Sequence, residues 1–383
     1  MALKYLYVPS GYKAGTAYGV LPNIAAADFS FTRGSAGFRV NADGLLESEL
    51  SDVPRLDYTD SSCPSLLLEA SKTNLVIYSE DFTGWNVAGT PTVTENATLD
   101  PKGGNNGTLL SLGSSSALFR TANFSAEPTT FSVYLKSPTV AGTYPLNWYA
   151  SSGGAHHREL VNVTTEWQRF ELNFTPTGLG TRYVYIGDNR GGLGETLSSV
   201  YVWGAQVESS SKATSYIKTE AATVTRAADT GIVTSDLSSY INSSEGVLEV
   251  KMSRFEGIPS TEQSWISLSA SETDDDNSVS IGFTGLNTTL AHFIKSSDAN
   301  VITPTTSQVT EDLSQMNVIK LKWKDGDFQA KIGNTTINLS AGAGSLPFAS
   351  TLKYLRIGYP SYSGGAFKGN IQYIKVYDSA TDF

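Results

Sequence analysis

The chain carries three histidines, His156, His157 and His292, and a single cysteine, Cys63. Nucleophilic catalysis needs a nucleophile, a base and an orienting group that converge. No motif that assembles such a set is present: there is no HExxH, CxxC, Walker loop or GxSxG. His156 and His157 follow Ser151-Ser152-Gly153-Gly154-Ala155, which reads as a loop, and neighbours on a strand would point to opposite faces anyway. Glycoside hydrolysis needs two carboxylates about 5 to 10 Å apart, but Glu69, Glu80, Asp81 and Glu171 are isolated in the sequence. The run Glu272-Thr273-Asp274-Asp275-Asp276-Asn277 reads as a polar turn between apolar strands. Three adjacent aspartates on extended backbone close poorly around a calcium ion at about 2.3 to 2.6 Å.

Sugar recognition asks for different residues: a flat ring over the apolar face of a pyranose, with polar groups nearby for its hydroxyls. Trp148, Tyr149, Arg158, Asp188, Asn189 and Arg190 fall on or beside predicted loops and are candidates for such a face, as are Tyr359, Tyr362 and Phe367 near the end of the chain. For each of them, packing in a core or against the surface is the competing reading. Covering about 40 to 50 Å² of sugar gives roughly 1 kcal/mol per ring. Single sites are therefore weak, and several copies on one particle gain about 10²- to 10⁴-fold by avidity.

The elements that must position these residues are strands. At 383 residues the chain is long enough for two cores. Only 17% of its residues are charged, while Gly, Ser, Thr and Asn are plentiful, which suits short strands and many turns. Runs of period two lie at Phe131 to Lys136, Leu146 to Tyr149, Arg158 to Val163, Trp167 to Phe174, Tyr183 to Ile186 and Val200 to Val207. A second series includes Gly246 to Met252, Ser264 to Leu268, Val279 to Phe283, Val318 to Trp323 and Phe328 to Ile332, with Lys324-Asp325-Gly326-Asp327 as a tight turn. Regular spacing of this kind predicts sandwiches. The polar stretch Glu208 to Lys212 marks the boundary between the two series.

The first residues are different. Tyr5, Tyr7, Tyr12 and Tyr18 are spaced by Pro9, Gly11, Gly15, Gly19 and Pro22, a composition for extended backbone packed on another surface. It predicts an arm, either for docking and oligomerisation or folded back on the first domain. The net charge of -10 and the lack of a Lys/Arg run argue against nucleic acid as a partner. No apolar run approaches the roughly 20 residues of a membrane helix, and no signal peptide is visible, so neither membrane insertion nor secretion is expected. With one cysteine, no internal disulfide is available.

The segment Cys63-Pro64-Ser65-Leu66-Leu67-Leu68-Glu69-Ala70, with Thr73-Asn74-Leu75 and Tyr78 to Trp85, resembles the opening of jelly-roll domains in virion proteins of tailed bacteriophages. Ser199 to Asp229 resembles the close of that domain, and the runs SGYKAG, FTRGSAG, NADGLLE and VPRLDY resemble the N-terminal region of the same loose family. FSVYLK with EWQRFELNFT is similar to central strands of carbohydrate-binding-module jelly rolls, and Leu352 to Asp378 to the last strands of concanavalin-A-like, laminin-G-type sandwiches. The fold these likenesses imply is all-β: two β-sandwich (jelly-roll) domains, at 74–219 and 220–383, preceded by an extended N-terminal β arm at 1–73. They imply a non-enzymatic virion surface protein of fibre or receptor-binding type, made in the host cytoplasm and contacting host surface polysaccharide. Its partners would be other virion proteins and its own copies, with a trimer favoured. The alternative is a head or tail decoration protein that binds neighbouring subunits; a glycan depolymerase is third. No cofactor is implied. A structural calcium in the first sandwich would use Glu80 or Asp81, but Trp203 stands where the last strand would offer the second acid, and the metal stays unassigned.

Overall fold

The computed structural model describes the chain except residues 1, 14, 114, 123–126, 151–155, 176–181, 189, 234, 256–262, 274, 285–288, 303–304, 359–366 and 382. The protein is all-β: its described regular elements are strands, apart from one 3-10 turn at Ala25–Ala27. No helix among the described residues is long and apolar enough to cross a membrane. The chain divides into two compact units. Unit 1 comprises Met1–Gly44, Glu49–Ala70 and Ala227–Phe383, and unit 2 comprises Leu45–Ser48 and Ser71–Arg226.

Unit 2 therefore interrupts unit 1, and this revises the reading of residues 1–73 as an arm. The strand Leu3–Lys13 lies antiparallel to Gly369–Tyr377, with Leu6 opposite Lys375 and Tyr7 opposite Ile374. Phe29–Thr32 pairs with Thr230–Val233, and Ser65–Leu68 pairs with Gly369–Tyr377. Tyr5 and Tyr7 are core residues with 0% and 1% exposure. The Tyr5 hydroxyl donates to the Ala27 carbonyl at 3.1 Å, and Phe29 meets Tyr7 edge-on at 5.0 Å. Tyr12 is half-buried and donates to Glu49 Oε1 at 3.1 Å, whereas Tyr18 is exposed. The composition signalled a need for a covering surface. What supplies it is the far end of the chain, a pairing that no local pattern reveals.

Among the described residues, 17 strands of unit 1 form one hydrogen-bonded network around a single core of residues such as Leu248, Val250, Ile281, Trp323, Ile371 and Ile374, while Gly37–Val40 stands outside it in a two-stranded sheet. The expected hairpin is present: Asn317–Lys324 pairs with Gln329–Ile332, and Gly326 takes the positive φ of 71° that the turn requires. Gly369–Tyr377 lies back against Glu245–Arg254, as expected for a final strand beside an early one. A buried ionic cluster ties distant parts of unit 1 together. Arg33 reaches Asp229 at 3.1 Å, and Arg55 bridges Glu69 at 2.7 Å and Asp229 at 2.5 Å, all with side chains 3% exposed or less. The Glu69 N–H also donates to Asp229 Oδ2, and the Asp229 N–H to the Glu69 carbonyl. Multiple hydrogen bonds of this kind offset the desolvation of the ions, and removing one partner would leave a charge stranded.

Unit 2 is a sandwich of two five-stranded antiparallel sheets. One sheet runs in the order Thr92–Thr98, Gly107–Ser111, Ser199–Glu208, Thr129–Lys136 and Gln168–Phe174. The other runs His156–Val163, Gly142–Ala150, Arg182–Gly187, Ala117–Ala122 and Asn86–Ala88. Alternate residues face inward, so Phe131, Val133 and Leu135 meet Leu146, Trp148, Val184 and Ile186 in one core. Leu172 and Phe174 also point into that core.

Candidate functional site: an open aromatic face on unit 2

The residues between the core positions of the second sheet face outward, and register aligns them into rows. Phe119, Tyr185, Asn147 and Arg158 are partners across four strands. The next row is Thr121, Tyr183, Tyr149 and His156. Phe119 and Tyr185 stack with centroids 5.2 Å apart at 29°, and Tyr149 and Tyr183 stack at 6.1 Å and 25°. His156 meets Tyr149 edge-on at 5.9 Å, and Phe119 meets Tyr183 at 5.8 Å. Phe119, Tyr149, Tyr183 and His156 are half-buried, so their rings keep surface free, while Tyr185 is 8% exposed.

Polar groups border the rings. Arg158 Nη2 donates to the buried carboxylate of Asp188 and, at 2.6 Å, to the Gly191 carbonyl. The other Asp188 oxygen accepts the Arg190 N–H at 3.1 Å, which fixes the turn that carries Arg190. The Asn147 amide donates to the Gly187 carbonyl at 2.9 Å, and neither its Oδ1 nor Arg158 Nε beside it has a hydrogen-bond partner among the described residues. Asp188 also lines a cavity of about 200 Å³, together with Ser116, Pro145, Glu195, Thr196 and Leu197. Burial lowers the pKa of His156, with Arg190 and Arg158 adding to the effect and Asp188 opposing it, which favours the neutral ring. Burial raises the pKa of Tyr185, with Tyr183 and Tyr149 acting in the same sense and Arg190 against them.

The structure brings four of the nominated residues, Tyr149, Arg158, Asp188 and Arg190, to this one face. Trp148 is instead a core residue, 6% exposed and stacked on Phe174 at 4.4 Å, because it is one position out of phase with Tyr149. Asn189, Tyr359 and Tyr362 lie outside the described residues, and Phe367 is buried against Phe283. His156 and His157 open the strand His156–Val163 rather than lying in a loop. Sequence reasoning missed Phe119, Asn147, Tyr183 and Tyr185. The signal was there in Arg182-Tyr183-Val184-Tyr185-Ile186, where two tyrosines of one parity alternate with core residues.

The opposite sheet of unit 2 also bears outward aromatics, and the chain itself covers them. Tyr134 and Trp203 lie beneath residues 209–220, with Tyr216 at 4.6 Å from Trp203 and Arg169 donating to the Thr214 carbonyl at 2.6 Å. Glu208 is buried there, accepts the Thr214 N–H and hydroxyl at 2.8 and 2.9 Å, and has its pKa raised by burial. Glu80, a nominated calcium ligand, instead receives Lys102 Nζ at 3.1 Å on both oxygens, and that ammonium sits 5.2 Å over the Trp203 ring. Asp81 accepts from Thr83 within its own turn. Among the described residues no group of three or more His, Cys, Asp or Glu is placed to hold a metal ion.

No protein-family model and no curated protein matches the sequence. Among solved structures, the N-terminal CBM22-1-CBM22-2 tandem domain of Paenibacillus barcinonensis Xyn10C matches with a TM-score of 0.29 and 10% identity over 82% of this chain and 99% of that one. Domains LG4-5 of the mouse laminin alpha1 chain match with a TM-score of 0.25 and 9% identity over 72% of this chain and 89% of that one. At these scores the likeness carries no argument, and the functional reading rests on the chain's own residues.

Proposed function

We propose that the protein binds saccharide without cleaving it, through the open face of unit 2, as a surface protein of a bacteriophage particle of fibre or receptor-binding type. The observation that carries the reading is the set of half-buried rings of Phe119, Tyr149 and Tyr183 on the outer side of a sheet, Phe119 stacked on the buried Tyr185 and Tyr149 on Tyr183. Buried aromatics need no ligand, whereas half-buried rings aligned in rows beside the partly exposed Arg158 and the exposed Arg190 offer a pyranose both an apolar platform and hydrogen-bond donors. The phage setting rests on the sequence runs SGYKAG, FTRGSAG, NADGLLE and VPRLDY. A host-adsorption assay with the purified protein, beside the Tyr149→Ala/Tyr183→Ala variant, tests it. Adsorption that the double substitution abolishes supports the reading; adsorption unchanged by it removes the face from consideration.

A second reading, contact with neighbouring virion subunits or further copies of the chain, is favoured by one observation. Tyr18, Val20, Leu21 and Ile24 of unit 1 are each 37% to 43% exposed and lie close in sequence, an apolar edge of the kind that subunit contacts cover. Light scattering decides it: a trimer that Val20→Asp dissociates supports that role, and a monodisperse monomer removes it.

A further inference from the structure

The open face has a charge as well as a shape. Arg158 spends its charge on Asp188. Arg190, two residues on, is exposed and has no ion-pair partner among the described residues. Its backbone is anchored to Asp188, and its charge acts on both Tyr185 and His156, one from each aromatic row. An uncompensated guanidinium thus stands at the edge of the ring platform in a chain whose net charge is -10.

We infer that the ligand of this face is an anionic saccharide, its rings on the two aromatic couples and its carboxylate or sulfate on the Arg190 guanidinium. The inference rests on the proposed saccharide-binding role and narrows it to a substrate class. A guanidinium matches a carboxylate or sulfate by paired N–H donors and is more weakly hydrated than an ammonium, so it is the cation suited to a partly dry, ring-lined edge. The overall negative charge repels a polyanion at long range, so retention of one has to come from local contacts rather than from general attraction. Arg158, held by Asp188 and the Gly191 carbonyl, keeps its place and leaves Arg190 as the cation able to turn toward the ligand.

The test is a glycan array carrying neutral, carboxylated and sulfated saccharides on matched backbones, probed with the full-length protein and three variants. The expected result is retention of acidic saccharides, with the carboxylated and sulfated arms telling which anion is read. Arg190→Ala should weaken retention about tenfold or more, toward the level of the neutral backbone, and Arg190→Lys should restore part of it. Lys136→Ala, a cation on the other sheet, should change nothing. Binding confined to neutral saccharides, or acidic binding that Arg190→Ala leaves intact, overturns this inference while the saccharide-binding role stands. Retention of nothing on the array overturns both.

Discussion

The two outer faces of unit 2 carry similar residues with opposite fates. On one, Trp203 and Tyr134 are closed under residues 209–220, with Tyr216 packed on both rings, Arg169 and Glu208 bonded to Thr214, and Lys102 over the Trp203 ring. On the other, Phe119, Tyr149 and Tyr183 remain half-exposed, with no segment among the described residues of their unit laid across them. Where aromatic side chains serve stability the chain supplies its own cover, and an aromatic sheet left uncovered marks a surface meant for something else.

Substitutions can break or sharpen this contrast. The largest effect is expected from Trp203→Ala, which empties a fully buried site and should lower stability by about 3 to 5 kcal/mol in urea unfolding. A loss no greater than that from an exposed residue would mean the cover is not a packed layer. Next comes Tyr149→Ala/Tyr183→Ala: at about 1 kcal/mol per ring the pair should reduce saccharide affinity roughly 30-fold. The melting temperature should move far less than for Trp203→Ala, and the reverse ordering would turn the open face into a structural one. Lys102→Met removes the ammonium between Glu80 and Trp203 and should lower stability by about 1 kcal/mol, since Lys218 remains 3.7 Å from Glu80. Titration of Glu208 gives the smallest effect. Its folded pKa is raised by burial, so the folded state binds the proton more readily, and stability from this group falls as pH rises from its unfolded value through its folded one. Glu208→Gln should flatten that part of the pH–stability curve, and an unchanged curve would assign the slope to other groups.

Much of the fold is written in the sequence at short range. Alternation at Phe131 to Lys136, Arg158 to Val163 and Val200 to Val207 reports strands because each side chain's neighbour two positions away shares its face. Parity is what alternation leaves open. Trp148 and Tyr149 are equally plausible on a sugar face until one knows which of them opposes Val184, and a shift of one residue exchanges core for surface. The same ambiguity hid Tyr183 and Tyr185, whose outward direction follows only from Ile186 and Val184 being inside. Long-range pairing is out of reach for a different reason. Nothing near Tyr5 and Tyr7 specifies strand Gly369–Tyr377 as their partner, so residues that complete a core looked like an arm in search of one.

That last pairing has a consequence for how the molecule is made. During synthesis Leu3–Lys13 emerges long before Gly369–Tyr377, the strand it must lie beside, with the whole of unit 2 made in between. At about 5 to 20 residues per second the delay is on the order of tens of seconds. Unit 2 has all its own strands available long before then, as Lys72–Asn74 needs only Val224–Arg226 to close it. The inserted sandwich is thus positioned to mature first, while the apolar opening segment waits with its neighbour Thr16–Leu21 but without its far partner. A helper that shields Tyr5 to Tyr7 during that interval, or a slow translation step placed after unit 2, would raise the yield of correctly folded chains.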